Sequence, residues 1–116
     1  MLNLIKSYFY FESSSVYKKN KKFSERLDIS KFYMTEHTNK IPVVIDYKGS
    51  IFFKKPRLLD EDMFIFDLIQ SIKDKTNVNV EVYIYDRLRN SRQNRDLKYL
   101  WNKYKEPDGF LYINVI

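Results

Sequence analysis

The sequence predicts an α+β domain in which helices pack on a mixed four-stranded sheet. Its last residues, Phe110–Ile116, are almost entirely apolar and too short for a typical helix, which suits a strand buried on both faces in the middle of a sheet. Residues 65–72 carry apolar side chains at the spacing of a helix that packs on a sheet, and residues 78–84 alternate apolar and polar side chains as a strand does.

Length and composition favour one domain that works in the cytosol. The chain has 116 residues, of which 44% are hydrophobic, enough for one core, and it contains no cysteine. No apolar run approaches the roughly 20 residues that span a bilayer. The net charge of +6 favours acidic partners such as peptides, nucleic acid or an anionic membrane surface, although the lysines also suit an ordinary solvated surface.

The first part of the chain mixes aromatic and basic residues. Tyr8–Phe11 are aromatic, and Lys18–Lys22 form a basic run. We expect residues 1–22 to be a partly ordered segment, with an arm that binds membrane or nucleic acid as the alternative.

Residues 23–45 predict a helix followed by a strand. Apolar residues recur at three- and four-residue steps from Phe23 to about Thr38, and Ser24 is the expected N-cap. Ile41–Ile45 predicts a buried strand with Pro42 near its start, where a missing N–H is tolerated.

Residues 46–56 predict a hairpin. A turn over Asp46–Gly49 leads into a second strand, Ser50–Lys55. Pro56 confines the end of that strand to a sheet edge, because proline cannot donate to a ladder.

The remaining elements follow in order. The acidic residues Asp60–Asp62 favour a helix start because they complement the helix dipole, and the strand of residues 78–84 follows that helix. Arg87–Arg95 is predicted to be a polar, basic loop. A second apolar stripe over Leu97–Tyr104 predicts a short helix capped by Asn94 or Asp96, which Pro107 stops.

This order of elements favours the ubiquitin-like β-grasp. A hairpin, one crossover helix and a returning central strand produce that architecture, here with an N-terminal helical extension. The ubiquitin-like domain with its leading helix is assigned to residues 23–116. A ferredoxin-like sheet is the main alternative.

The residue types for catalysis are scarce. One histidine, His37, and no cysteine exclude most metal and nucleophile constellations, and neither glycine lies in a phosphate-binding pattern. The helix dipole already explains Asp60–Asp62. We therefore expect a binding module without a cofactor or metal, not an enzyme.

Several stretches resemble the autophagy-related ubiquitin-like modifiers, the family that includes GABARAP and the microtubule-associated-protein light chains. The resemblance extends over roughly residues 23–113 and is strongest at its end. The matching residues are Phe23–Arg26, Glu36–Ile45, Tyr47–Gly49, Lys54, Lys55, Leu58, Leu59, Lys73, Lys75 and Lys105–Tyr112. The order and separation of Lys40–Val43 and Asp108–Tyr112 make the match fairly specific.

The resemblance implies a cytoplasmic adaptor of autophagosome formation and cargo selection, which also works at the autophagosome or vesicle membrane. Family members bind peptides from cargo receptors and the autophagy machinery that carry an aromatic residue, two spacers and an aliphatic residue. Such a peptide adds a strand to a sheet edge, here expected at Ser50–Arg57.

The resemblance also implies which residues bind the peptide. The predicted first pocket, for the aromatic residue, is lined by Tyr33, Pro42, Lys54, Leu58 and Phe110. The predicted second pocket, for the aliphatic residue, is lined by Leu59, Met63, Leu68 and Ile72. Lys54, Lys55, Arg57 and Lys75 would attract an acidic flank. Plain core packing is the alternative for Pro42, Leu68 and Ile72, and solvation for the lysines.

This sequence departs from the family pattern near the second pocket. Arg57 stands where an aromatic residue is usual, Asp60 where Pro is usual and Ser71 where an aliphatic residue is usual. Ile29 replaces an acidic residue near the first pocket. We therefore expect a shallower, more polar second pocket and an altered peptide preference.

The end of the chain also departs from the pattern. Family members continue past the last strand to a glycine that conjugation enzymes join to phosphatidylethanolamine, and this sequence stops at Ile116 without one. Gly109 lies in the turn before the strand and cannot substitute. Either the sequence is incomplete and the conjugation enzymes are partners, or this form is not lipidated in the usual way.

Two other functions are consistent with the residues. Arg87, Arg89, Arg92 and Arg95, with nearby tyrosines, could form a small nucleic-acid-binding surface, although most aromatic residues fall on core-facing stripes. The second of these functions is that of a ubiquitin-like scaffold that is never conjugated. We expect no nucleic acid partner.

Overall fold

A computed structural model describes residues 16–47, 56–84, 87–89 and 94–116. Its elements, in chain order, are α1 (Val16–Asn20), α2 (Phe23–Glu36), β1 (Lys40–Tyr47), β2 (Arg57–Asp60), α3 (Ile65–Thr76), β3 (Val82–Ile84), β4 (Arg87–Arg89), α4 (Leu97–Tyr104) and β5 (Leu111–Val115). The predicted helices over α2, α3 and α4 are confirmed, and so are the strands predicted over β1 and β5.

The strands form one mixed sheet with the order β2-β1-β5-β3-β4. β5 lies parallel to β1, with Val43 opposite Leu111, and antiparallel to β3. The last strand is therefore central, as its continuous apolar run predicts, because side chains on both of its faces are covered. This mixed topology confirms the ubiquitin-like β-grasp and excludes an all-antiparallel ferredoxin-like sheet.

Successive side chains of β1 point to opposite faces of the sheet and so enter two separate cores. The face under α3 and α4 carries the large core, in which Ile41, Val43 and Ile45 of β1 pack against Leu68 and Ile72 of α3. The other face, under α1 and α2, carries the small core. The small core consists of Tyr17, Val44, Phe110 and Tyr112, with Ile29 and Tyr33 packed against it.

The short helix α1 belongs to the packed part of the molecule. Tyr17 is only 6% exposed, and its ring lies 5.3 Å from that of Phe110 in an edge-on contact. The sequence prediction placed this helix in a partly ordered segment that ends at residue 22. The assignment of domains at 22/23 stays a prediction, although Tyr17 contributes to the core.

The turn before β5 is fixed by contacts from three helices. Lys18 of α1 forms an ion pair with Glu106, and Ser30 of α2 donates a hydrogen bond to the carbonyl oxygen of Asp108. The indole N–H of Trp101 in α4 donates to the carbonyl oxygen of Gly109 over 2.8 Å. The segment 106–110 therefore ties the helices to the central strand.

Gly109 is required at this turn for two reasons. Its φ is +89°, a conformation that side chains other than glycine rarely adopt. A Cβ atom there would also lie 2.5 Å from the Ser30 hydroxyl oxygen.

The Asp108 carboxylate organises a buried polar cluster. It accepts a hydrogen bond from the Phe110 N–H over 3.0 Å and another from the Tyr112 hydroxyl. The Arg26 guanidinium lies 3.5 Å from it, between Nε and Oδ2. Asp108 is 2% and Arg26 8% exposed, so this charge pair is nearly removed from water.

Tyrosines in the small core should make the protein sensitive to alkaline pH. Burial, followed by the charges near it, raises the pKa of Tyr17 from 10.0 to about 12. Burial and the hydrogen bond to Asp108 also raise the pKa of Tyr112. A phenol with a raised pKa contributes stability that is complete below its unfolded pKa and is lost as the pH rises through its folded pKa.

We therefore expect the free energy of unfolding to fall between pH 10 and about 12. Urea unfolding across that range should show a smaller fall for Tyr17→Phe than for the wild type. Tyr99→Phe is the control, because Tyr99 is 39% exposed. An unchanged pH dependence in Tyr17→Phe would contradict the assignment.

The structure has an edge strand that the sequence did not predict. β2 begins at Arg57, immediately after Pro56, whereas the second strand predicted from the sequence, Ser50–Lys55 with Pro56 at its end, stays a prediction. Ser50–Lys55 lie outside the described residues. β2 pairs antiparallel with β1 from Arg57 to Asp60. Pro56 precedes the paired residues, so the absence of an N–H in proline removes no hydrogen bond from this pairing.

The other end of the sheet differs from the prediction. The sequence predicted four strands and a basic loop over Arg87–Arg95, whereas Arg87–Arg89 form β4, so that the described residues contain a sheet of five strands. Residues 90–93 of the predicted loop lie outside the described residues. β4 pairs with β3, with Val82 opposite Arg89. A polar edge strand has no apolar periodicity, so the sequence pattern could not reveal it. The strand predicted over residues 78–84 is shortened to Val82–Ile84.

The helix caps are partly as predicted. Asp96 caps α4, and its carboxylate accepts a hydrogen bond from the Tyr99 N–H over 2.7 Å. Ser24 was the wrong choice for α2, because that helix already begins at Phe23 and Lys22 is its N-cap. The Glu25 carboxylate accepts from the Lys22 N–H over 3.3 Å.

Candidate functional site

β2 is an edge strand with one side open. Among the described strands it pairs only with β1, and its outer side therefore presents backbone groups that a further strand can bind. This open edge consists of Arg57–Asp60, whereas the sequence predicted the peptide-binding edge at Ser50–Arg57. Only Arg57 belongs to both ranges.

The register of β2 assigns its two leucines to opposite faces of the sheet. Leu59 lies opposite Ile41, and Leu58 opposite Pro42. Directly opposite residues share a face, so Leu59 lies on the side of the large core and Leu58 on the side of the small core. The edge therefore has an apolar side chain on each face.

The described residues of the predicted first pocket gather on the small-core face. Tyr33 and Phe110 belong to that core or pack against it, and Pro42 and Leu58 lie opposite each other in register. Phe110 is fully buried, at 0% exposed, whereas Tyr33 and Leu58 are half-buried. Tyr33 and Leu58 can therefore contact a ligand directly, and Phe110 can only form a floor. Lys54 lies outside the described residues.

The residues of the predicted second pocket gather on the large-core face. Leu59 and Met63 are half-buried and pack against the large core. Leu68 and Ile72 belong to it and are 4% and 2% exposed. All four therefore belong to the large core or pack against it, with only Leu59 and Met63 near the surface.

The predicted cations are only partly described. Lys54 and Lys55 lie outside the described residues. Arg57 is half-buried at the start of β2, and Lys75 is exposed in the last turn of α3. At the other end of β2, Lys40 forms an exposed ion pair with Asp60.

The structure shows features near this edge that the sequence reasoning missed. Tyr17 packs beside Phe110, and no periodic pattern indicates such a contact between distant segments. A pocket of about 160 Å³ also lies at the Asp60 end of the sheet, lined by Met34, Ile41, Trp101 and charged neighbours. None of its lining residues was among those predicted to bind a peptide.

The structure describes only part of the predicted nucleic-acid surface. Arg87 and Arg89 are in β4, Arg92 lies outside the described residues, and the Arg95 guanidinium lies 4.7 Å from the centre of the Tyr99 ring. The Arg95–Tyr99 contact is the single described stacking pair of this group.

Within the described ranges, no helix has the length and apolar character needed to cross a membrane. In the same ranges no group of three or more His, Asp and Glu side chains is arranged to hold a metal ion.

Comparisons of the sequence with protein-family models and with curated proteins give no match. Solved structures do match. The crystal structure of Trypanosoma brucei ATG8 has a TM-score of 0.77 and 18% identity, and the match covers 89% of this chain and 94% of that chain. Plasmodium falciparum Atg8, solved in complex with a Plasmodium falciparum Atg3 peptide, has a TM-score of 0.76 and 20% identity, with 90% and 96% covered. The chain therefore has the fold of the Atg8 proteins, over almost its whole length.

Proposed function

We propose, from the Atg8 fold of this chain, that it is a ubiquitin-like adaptor or modifier of autophagy that acts in the cytoplasm and at autophagosomal or vesicle membranes. It binds short peptides and catalyses no reaction. The observation that carries the proposal is the open edge β2, whose Leu58 and Leu59 point to opposite faces of the sheet.

An extended peptide can use this edge in two ways at once. Its backbone adds a strand to Arg57–Asp60, which supplies affinity without sequence preference. Its alternate side chains reach the two faces, an aromatic one beside Tyr33 and Leu58, an aliphatic one beside Leu59 and Met63. The two apolar contacts supply the specificity.

The peptides carry acidic residues beside the aromatic and aliphatic positions, because the chain carries +6 net charge and Arg57 lies at the edge itself. Lys54, Lys55 and Lys75 complete this basic surface. Such charges act more on the association rate than on affinity. Peptides of cargo receptors and of the conjugation machinery are the proposed partners, supported by the Atg3 peptide bound to Plasmodium falciparum Atg8.

The second pocket discriminates less strongly between peptide side chains than the first pocket does. Arg57 and Asp60 flank Leu59 where the related pattern has apolar residues, so the aliphatic contact is more polar and shallower. A pocket of this kind distinguishes side chains that differ by one methylene by only about 1–3 kcal/mol.

Titration with an acidic peptide that contains Trp-x-x-Leu should shift the backbone amide signals of Leu58 and Leu59. The reason is that their strand gains new backbone partners and nearby aromatic rings. Amide NMR spectra recorded across the titration measure this. A peptide in which Ala replaces both Trp and Leu is the control and should leave the spectrum unchanged.

The salt dependence of binding tests the alternative function. Binding of single-stranded DNA or RNA through Arg87, Arg89, Arg92 and Arg95 would weaken steeply and log-linearly with salt. Peptide binding through two apolar contacts should weaken only modestly. Unshifted β2 amides with the peptide, together with steep salt-dependent DNA binding, would overturn the peptide proposal.

A further inference from the structure

The pocket at the Asp60 end of the sheet is too small for a cofactor or an ordinary small-molecule ligand. Its volume is about 160 Å³, whereas sites for such ligands measure about 300–1,000 Å³. A space of this size suits one side chain of a polypeptide. We name it the end pocket, formed by Met34, Ile41, Trp101, Lys40, Lys98 and Glu61 with their neighbours.

Part of the lining of the end pocket is apolar. Ile41 is 3% exposed, and Met34 at 38% lies at the rim. The indole N–H of Trp101 already donates to the Gly109 carbonyl oxygen over 2.8 Å. Trp101 can therefore offer a ligand ring surface but no hydrogen bond, which favours an apolar side chain as the occupant.

The charged part of the end pocket contains more cations than anions. Lys40 and Lys98 face one lining carboxylate, that of Glu61. Lys98 lies 3.7 Å from Glu61, and Lys40 is paired with Asp60. Exposed pairs of this kind contribute little to stability, so both lysines can turn towards an acidic residue of a ligand.

The end pocket is continuous with the open edge of the sheet. β2 ends at Asp60, which lies opposite Lys40 in the register. The next residue, Glu61, donates its N–H to the Asn39 carbonyl over 3.1 Å and accepts from the Lys98 N–H over 2.9 Å. The chain leaving β2 thus joins the starts of β1 and α4, and the pocket is already formed without a ligand.

We propose that the end pocket receives one apolar side chain from the flank of a peptide docked along β2, with an acidic neighbour of that side chain attracted by Lys40 and Lys98. This inference rests on the proposed function and extends it. A strand advances roughly 3.3 Å per residue, so a few residues beyond the last contact with Asp60 are enough to reach the pocket. This flank is the part of the peptide that continues past Asp60, at the end of β2.

The test compares a core peptide with extended peptides. The core is an acidic Trp-x-x-Leu peptide, and the extended series places a single Phe at successive positions of a Ser-Glu flank, first on one end and then on the other. Isothermal titration should find one end, and one position on it, that binds roughly tenfold tighter or more, because burial of a large apolar side chain contributes about 1.5–3 kcal/mol. Glutamine in place of the neighbouring Glu should remove part of that gain.

Two protein variants locate the gain. Met34→Asp places a charge at the rim of the pocket, and Thr35→Asp places the same charge one residue further along α2, where Thr35 is also exposed and does not line the pocket. Met34→Asp should reduce the affinity of the extended peptide to that of the core peptide and leave the core peptide unaffected. Thr35→Asp should preserve the gain.

The outcomes separate this inference from the proposed function. If the core peptide does not bind, both are wrong. If it binds but no extension improves its affinity, or if Met34→Asp and Thr35→Asp behave alike, the end pocket is not a peptide subsite and the proposed function stands.

Discussion

Replacement of Leu58 by Asp is expected to abolish peptide binding while the protein stays folded. Leu58 lies on the open edge strand, on the side of the small core and opposite Pro42. It is half-buried, so a carboxylate at this position can remain solvated in the free protein. A bound aromatic side chain would cover that carboxylate without pairing it, which costs several kcal/mol, or more than roughly a hundredfold in affinity.

Isothermal titration with the acidic Trp-x-x-Leu peptide measures this loss, and thermal unfolding checks the fold. Val78→Asp is the matched control, because Val78 is 49% exposed and follows α3, outside the proposed groove. It introduces the same charge and should retain wild-type affinity. If the two variants lose affinity equally, general charge repulsion explains the effect and the groove is wrongly placed.

Replacement of Asp108 by Ala is expected to cause the largest loss of stability. The change removes the acceptor of the Phe110 N–H and of the Tyr112 hydroxyl. It also leaves Arg26, which is 8% exposed, without the carboxylate that lies 3.5 Å from its Nε. Breaking a buried charge pair costs about 3–5 kcal/mol, and small domains are stabilised by only about 5–15 kcal/mol.

Urea unfolding measures the loss, and Asp108→Asn separates its parts. Asn keeps an oxygen that can accept from the Phe110 N–H but removes the charge. The stability of the Asp108→Asn variant should therefore lie between that of Asp108→Ala and that of the wild type. Asp62→Asn is the control, because Asp62 is exposed and should change little. A loss below about 1 kcal/mol in Asp108→Ala, the size of an ordinary surface effect, would show that the cluster does not hold the helices to β5.

Local sequence patterns predicted those elements whose burial shows in the order of apolar residues. The apolar runs in β1 and β5 indicate strands buried on both faces, the alternation over residues 78–84 indicates a strand, and the stripes of α3 and α4 repeat with the period of a helix. β2 and β4 were not predicted, because the pairing of a short edge strand depends on the neighbouring strand. Pro56 was interpreted as the end of a strand, and it directly precedes β2.

The residues of the candidate site stay a prediction, and their layout was not readable from the sequence. The resemblance supplied Tyr33, Leu58, Leu59 and Met63, and the register of β2 against β1 distributed the two leucines between the faces of the sheet. Whether Phe110 is exposed to a ligand was not readable from the sequence. Tyr17 packs against it from a distant part of the chain and contributes to its complete burial.

By itself, the sequence determined the α+β fold of this chain and the central position of its final strand, because the free energy of burying apolar side chains follows their spacing along the chain. Only the tertiary structure decided which sheet edge is open, how Asp108 joins three segments and where the end pocket lies. Those features depend on residues far apart in the chain, such as Arg26, which pairs with Asp108, and Met34, which lines the same pocket as Trp101, and no local pattern encodes this proximity.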